Sequence, residues 1–206
     1  RRELVELARA HDVPVIEDDA YGVLVADAPA PLAALAPDIV YHVASLSKCL
    51  SPALRVAYIA APEGRSLRLA SAIRASASIV SPLTSAVASR WIETGLADMV
   101  RDEIIRESAD RLQVLNATLR KDAETSSGGF HAWMHVPEPW TRGELVSRLR
   151  SVGVAVVASD AFAVSSPPEA IRIGLGAPET LEEVERSMAV LADLLSQQPA
   201  ISTMVV

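Results

Sequence analysis

Two stretches of this 206-residue chain hold residue types that can do chemistry together. In "SLSKCLSPALR", residues 45–55, three serines, a lysine and an arginine fall within eleven positions. Hydroxyls and a guanidinium at this spacing suit a phosphate, with Arg55 offering a bidentate fork and Ser45 a donor. Lys48 sits in an apolar, serine-rich run, where desolvation favours the neutral, nucleophilic amine. Of 19 lysines plus arginines, only Lys48 and Lys121 are lysine. The chain uses arginine wherever a surface cation suffices, so a lysine kept at position 48 calls for a chemical reason. Lys121 reads as a surface cation on a polar helix end.

The second stretch is "VIEDDAYGVL", residues 15–24, where three carboxylates end an apolar run and a tyrosine follows. A metal site, an acid/base pair, solvated strand-end charges and a cofactor holder are the alternatives. Strand alternation sends Glu17 and Asp19 to one face and Asp18 to the other, so the three cannot share one ion. No histidine or cysteine stands nearby to complete a softer shell, and no metal is expected. Glu17 and Asp19 are read as solvated or capping charges. A phosphate grip, a carbonyl-reactive lysine and a carboxylate held across a sheet together describe pyridoxal 5'-phosphate (PLP) chemistry. In that chemistry a lysine holds the cofactor's aldehyde and an acid pairs with the pyridine nitrogen.

The elements that must position these groups are legible. "RRELVELARA" is an amphipathic helix running into a strand over 13–17, and "IVYHVAS" (39–45) and "RVAYIAA" (55–61) are further strands. Nine residues separate the last two, too few for a parallel crossover, so they are expected to be antiparallel or splayed. Helices follow over 65–78 and 81–95 and in a run of about 25 residues over 97–121, long enough to link two lobes. A second α/β unit then shows strands over 128–136, 154–159 and 170–176. It also has a helix ending on Gly153 and a closing helix with Thr180 and Glu183 as a capping box. A chain opening in the middle of a helix–strand pattern is read as a fragment lacking its N-terminal portion.

In order along the chain, "IEDDAYGVL", "SLSKCLSPALRVAYIAAP" and "IRIGLG" resemble the PLP-dependent aminotransferases of fold type I, class I/II. The resemblance implies an α/β, fold-type-I transferase-like chain, N-terminally truncated to the late large-domain strands plus the small C-terminal domain. The expected divisions are 1–95 as a partial PLP-binding large domain, 96–121 as a long connecting helix and 122–206 as the small domain. It implies that Asp18 holds the pyridine nitrogen and Tyr21 donates to the ring's phenolic oxygen. Lys48 would bond to the aldehyde, Ser45 and Arg55 would grip the phosphate with Ser47 as a lesser candidate, and Arg172 would bind a ligand α-carboxylate. The family loop has glycine where Ala53 and Ala57 stand, and usually threonine at Cys49. The opposite wall of the family's site lies upstream of these motifs, so this stretch by itself is expected to take up PLP poorly.

"WIETGLADMVRDEIIRESADR", "GGFHAWMHVP" and "VASDAFAV…IRIGLGAPET" are similar, more narrowly, to the aminotransferase-like domain of MocR-type regulators in the GntR family. That resemblance implies an effector domain sensing PLP and an amino acid or amine. It also implies a homodimer in the parent, and DNA binding only through an upstream winged-helix domain. A genuine class I/II aminotransferase is the alternative, and whether the domain turns over substrate is open. Ser45-Leu46-Ser47-Lys48 also fits the Ser-x-x-Lys of penicillin-binding proteins, but no Lys-Thr-Gly follows.

Composition agrees. A net charge of −7 and a sequence pI near 5.1 argue against a nucleic-acid reader in this stretch. The single cysteine, Cys49, excludes an internal disulfide and fits a reducing cytoplasm. No bilayer-length apolar run or leader pattern is read, so a soluble cytoplasmic protein without a membrane partner is expected. The four histidines pair with no plausible catalytic partner, and Arg74, Arg101, Arg106 and Arg111 read as a solvated helix face. Trp91, Trp133 and Trp140 read as core or lobe-contact residues.

Overall fold

The computed structural model describes residues 1–77, 79–119, 123–125 and 129–197. It divides into two compact units, Arg1–Ile105 and Arg106–Val206. Lys121 and the tail from Ile201 to Val206 lie outside the described residues.

The first unit begins with α1 (Arg2–Ala10), whose Val5 and Ala8 are buried. Val5 joins Leu32, Ala36 and Val40 in a small core. Strands β1 (Val15–Asp18), β2 (Val40–Ser45) and β3 (Ala57–Ala60) form a sheet in that order. β1 pairs parallel with β2, and β2 pairs antiparallel with β3, as the short intervening loop requires. Between β1 and β2 the prolines at 29, 31 and 37 limit the chain to one helical turn, α2 (Leu32–Leu35), after a 3-10 turn over Gly22–Leu24. β3 starts two residues later than its apolar pattern suggests, because Arg55 adopts the left-handed region at φ 53°. Helices α3 (Ser66–Ala77) and α4 (Pro82–Glu93) follow, the latter with proline in its first turn. Helix α5 (Leu96–Leu119) runs across the division between the units.

The second unit carries a sheet ordered β4 (Ala123–Thr125), β5 (His131–His135), β7 (Ala170–Gly174) and β6 (Val157–Ala158), with every pairing antiparallel. β4 has no counterpart in the sequence reading, which assigned that stretch to the start of the small domain without a strand. β6 keeps Val157 and Ala158 of the expected 154–159; residues 154–156 are not in the strand, and Ser159 ends it by turning the chain into a 3-10 turn. Helices α6 (Arg142–Ser151) and α7 (Leu181–Ser196) complete the unit, and Met134, Leu145, Leu149, Ile171 and Leu191 are fully buried between these elements.

Helix capping departs from expectation in an informative way. Thr180 caps α7 by accepting from the Glu183 N–H at 3.2 Å, but the Glu183 carboxylate accepts from Glu179 rather than from Thr180. The reciprocal capping box is at α6 instead, where Thr141 and Glu144 satisfy each other's backbone N–H groups. Arg111 is not on a solvated face. It is buried, donates to the carbonyls of Leu175 and Pro178 at 2.6 and 2.9 Å, and pairs with Glu107 at 2.8 Å. Trp140 is a core residue whose indole N–H donates to the Gln197 carbonyl at 3.0 Å. Among the described residues, no helix is long and apolar enough to cross a membrane.

Replacing Thr141 with Ala removes one half of the capping box, and is expected to lower the unfolding free energy by about 1 kcal/mol in urea titrations. Leu145→Ala, in a side chain with no exposed surface, is expected to cost about 2–5 kcal/mol in the same measurement.

Candidate functional site

The parallel pair β1 and β2 ends at Asp18 and Ser45, and β3 starts at that same edge because it runs the other way. Such carboxyl edges are where α/β sheets present ligand-binding groups. The register Asp18↔Val43 and Glu17↔His42 puts neighbouring carboxylates on opposite faces of the sheet. Asp18 is exposed and, among the described residues, its side chain makes no hydrogen bond or ion pair.

Glu17 overturns the solvated reading. It is 9% exposed, and its carboxylate accepts from the N–H groups of Leu32 and Ala33 at 2.8 and 3.1 Å. Arg1 donates to it at 3.1 Å, and His42 Nδ1 lies 3.1 Å away. Burial pushes its acidity toward the neutral form. The two backbone donors and the His42 ring more than offset this, so its pKa lies below the ordinary glutamate value. The ring of His42 continues to Asp19, with Nε2 3.9 Å from the carboxylate. Asp19 folds back over the turn that follows, and a Cβ on Gly22 would collide with its carboxylate. That turn brings Tyr21 under the lysine: Lys48 Nζ lies 5.5 Å from the Tyr21 ring centroid.

The lysine loop is held by its own backbone. Leu46 N–H donates to Val56 O at 3.1 Å, and the N–H groups of Leu50 and Ser51 both return to Leu46 O. Ser45 Oγ accepts from the Ser47 N–H at 3.2 Å, which fixes both serines at the sheet edge. Cys49 is buried, with its thiol on the Ser45 carbonyl at 3.6 Å, and burial pushes the thiol pKa up. Arg55 follows the 3-10 turn over Pro52–Leu54 in a left-handed conformation that is costly for a residue with a Cβ. Its guanidinium is exposed and makes no ion pair among the described residues. One sheet edge of the first unit therefore gathers Asp18, Tyr21, Ser45, Ser47, Lys48 and Arg55.

Arg172 belongs to the second unit. It stands on β7 opposite Trp133 of β5 and Val157 of β6. Its guanidinium carbon lies 4.6 Å from the Phe162 ring centroid, and its Nε is buried with no hydrogen-bond partner. Trp133 meets the Phe162 ring edge-on, with centroids 6.0 Å apart. The sequence reading singled out Arg172 but missed Phe162. The available signal was a large apolar residue in an otherwise small and polar loop, "SDAFAVSSPP".

Residues 1–191 match the family described as aminotransferase class I and II. The chain belongs to this family. Among its relatives, the uncharacterized HTH-type transcriptional regulator YdeF of Bacillus subtilis is 32% identical over 200 residues, 95% of this chain and 43% of that protein. The uncharacterized HTH-type transcriptional regulator YdcR of Escherichia coli is 32% identical over 70% of this chain and 33% of its own length. Among solved structures, the α-aminoadipate aminotransferase LysN of Thermus thermophilus, complexed with N-(5'-phosphopyridoxyl)-L-leucine, superposes with a TM-score of 0.80. It is 24% identical, over 94% of this chain and 53% of that one. The kynurenine aminotransferase of Pyrococcus horikoshii reaches a TM-score of 0.82 at 22% identity, over 94% and 50% of the two chains. The chain thus spans about half the length of the proteins it matches. Its architecture is the α/β fold of the PLP-dependent, fold-type-I aminotransferases, a family whose cofactor is PLP.

A lowered Glu17 pKa has a definite consequence for this aminotransferase-family chain. The stability Glu17 contributes is complete above the ordinary glutamate value, about 4.3, and is lost as the pH falls through its lower folded value. Glu17→Gln is therefore expected to destabilise the chain at pH 7, with the deficit shrinking as the medium is acidified. Urea unfolding of both forms between neutral pH and the acid limb measures this, and a deficit that grows on acidification contradicts it.

Proposed function

We infer that this chain is the C-terminal part of the PLP-binding, aminotransferase-like effector domain of a MocR/GntR-type transcriptional regulator. Two kinds of support meet here. Five relatives matching this region carry names of HTH-type transcriptional regulators. The observation that carries the cofactor half is the sheet edge itself, where Asp18, Lys48 and Arg55 stand unpaired beside Tyr21 and two serines. An acid, an amine, a phenol, a guanidinium and hydroxyls form a donor set that fits PLP group by group.

In this reading Arg55 and Ser45 bind the phosphate, with Ser47 beside them. Asp18 holds the proton on the pyridine nitrogen, and Tyr21 donates to the ring's phenolic oxygen. Lys48 would hold the cofactor through its aldehyde group. When bound, PLP supplies an electron sink for the ligand's α-carbon. Arg172 receives the carboxylate of an amino acid. The reading places the protein in the cytoplasm as a homodimer, touching DNA through a winged-helix segment outside this chain. Exposed apolar side chains on the first unit, Ile16 at 76% and Leu67 at 85% among them, suit surfaces that further chain would cover.

A working aminotransferase is the second reading. An uncharacterized aminotransferase of Saccharolobus solfataricus, SSO0104, is 26% identical over 90% of this chain. As an enzyme, Lys48 would go on to move the proton to and from the substrate's α-carbon.

The full-length polypeptide incubated with PLP is expected to show a visible absorbance band that Lys48→Ala abolishes. An amino acid should then shift its affinity for operator DNA without sustained conversion of a keto acid. A colourless protein after incubation would sink the cofactor assignment. Sustained transamination with unchanged DNA binding would favour the enzyme. The same incubation of this chain alone is expected to give little or no band.

A further inference from the structure

Arg172 presents an unusual combination. A guanidinium carries five donors and accepts nothing, yet among the described residues the Arg172 side chain makes no hydrogen bond or ion pair. Its Nε is buried without a partner, a state that costs free energy unless something supplies an acceptor. The buried arginine of the same unit behaves oppositely, since Arg111 is bonded to Leu175, Pro178 and Glu107. What Arg172 has instead of acceptors is an aromatic face, the Phe162 ring 4.6 Å from its guanidinium carbon.

The Phe162 ring is held from two sides. Trp133, directly across the β5–β7 ladder from Arg172, meets it edge-on at 68° between ring planes. The loop that carries it is closed at its base, where the buried Ser159 hydroxyl donates to the Pro168 carbonyl at 2.5 Å. The Phe162 N–H returns to Ser159 O at 3.0 Å. Stacking orients a planar guanidinium while consuming none of its N–H groups. A cation kept in place this way remains free to meet a planar two-oxygen acceptor with a bidentate fork.

We propose that Phe162, backed by Trp133, is the positioning residue that holds the Arg172 guanidinium open for a carboxylate, so that the second unit selects amino acids over amines lacking that group. This rests on the reading of Arg172 as a carboxylate receptor and decides between the two ligand classes which that reading left open. Phe162 acts through Arg172 and touches the ligand's charge only by way of it.

The test follows the side-chain N–H signals of the 15N-labelled chain, with the Arg172 Nε–H assigned by its disappearance in Arg172→Lys. That signal is expected at a ring-current-shifted position, lost in Phe162→Leu and kept in Phe162→Tyr. Titration with sodium propionate should move it, whereas propylamine hydrochloride and sodium chloride at equal concentrations should not. Half-saturation by propionate should rise roughly three- to tenfold in Phe162→Leu, the loss of one cation–π stack, and return in Phe162→Tyr. If propionate leaves the wild-type signal unmoved, the carboxylate reading of Arg172 falls and takes the inference with it. If wild type and Phe162→Leu respond to propionate alike, the inference falls and the Arg172 reading stands. Should Phe162→Leu fail to fold, Phe162→Tyr and Trp133→Phe decide. Loss of the shifted signal in Phe162→Tyr, where the ring is kept, overturns the proposal. A weakened propionate response in Trp133→Phe with Phe162 intact supports the backing role of Trp133.

Discussion

The Glu17 carboxylate receives four donors from three places in the first unit: the Arg1 side chain, the N–H groups of Leu32 and Ala33, and the ring of His42. A buried carboxylate is tolerated only with such partners. The arrangement fixes the phase of β1, because Glu17 can meet α2 and His42 only from one face of the sheet. With a side-chain period of two, a one-residue slip would move every β1 side chain to the wrong face. The direction of Asp18 therefore follows from its neighbour, and Tyr21 follows from the turn Asp19 makes over Gly22.

The second unit reaches rigidity by a different route. Its core is apolar and closed, and its buried cation Arg111 ties α5 to the carbonyls that follow β7. Those carbonyls end the strand on which Arg172 stands, so the same ladder that buries Ile171 and Ile173 holds Arg172 facing Trp133. Alternation along β5, with Ala132 and Met134 inward and Trp133 outward, leaves the aromatic free to edge the Phe162 ring.

Much of this was legible because it depends on local chemistry. Proline spacing excluded a long helix from the connection after β1, a short loop pointed to antiparallel β2 and β3, and the run over 97–121 declared the long helix found over Leu96–Leu119. The residues of the lysine-side edge were readable for the same reason, since each lies within a few positions of a strand end. What escaped depended on contacts distant in sequence. Nothing near Glu17 tells that the backbone of residues 32 and 33 will cap it, and nothing near Arg111 announces carbonyls 64 and 67 positions away. Short capping patterns were likewise ambiguous: Thr-x-x-Glu occurs at both 141 and 180, and only geometry shows which closes reciprocally.

The distinction between satisfied and unsatisfied charge then sorts the molecule. Glu17 and Arg111 are buried and each is held by several partners within its own unit. Asp18, Lys48 and Arg55 stand at one sheet edge with no ion pair of their own, while Arg172 leaves a buried donor without an acceptor. A folded chain gains nothing in stability from keeping these groups unpaired, and for Arg55 it also bears a strained backbone. Selection for stability alone would pair or replace them, as it has paired Arg111 only a few residues from the β7 strand. Their open state leaves an acid, an amine and a guanidinium at the sheet edge of the first unit and, separately, an unsatisfied guanidinium N–H on β7 of the second.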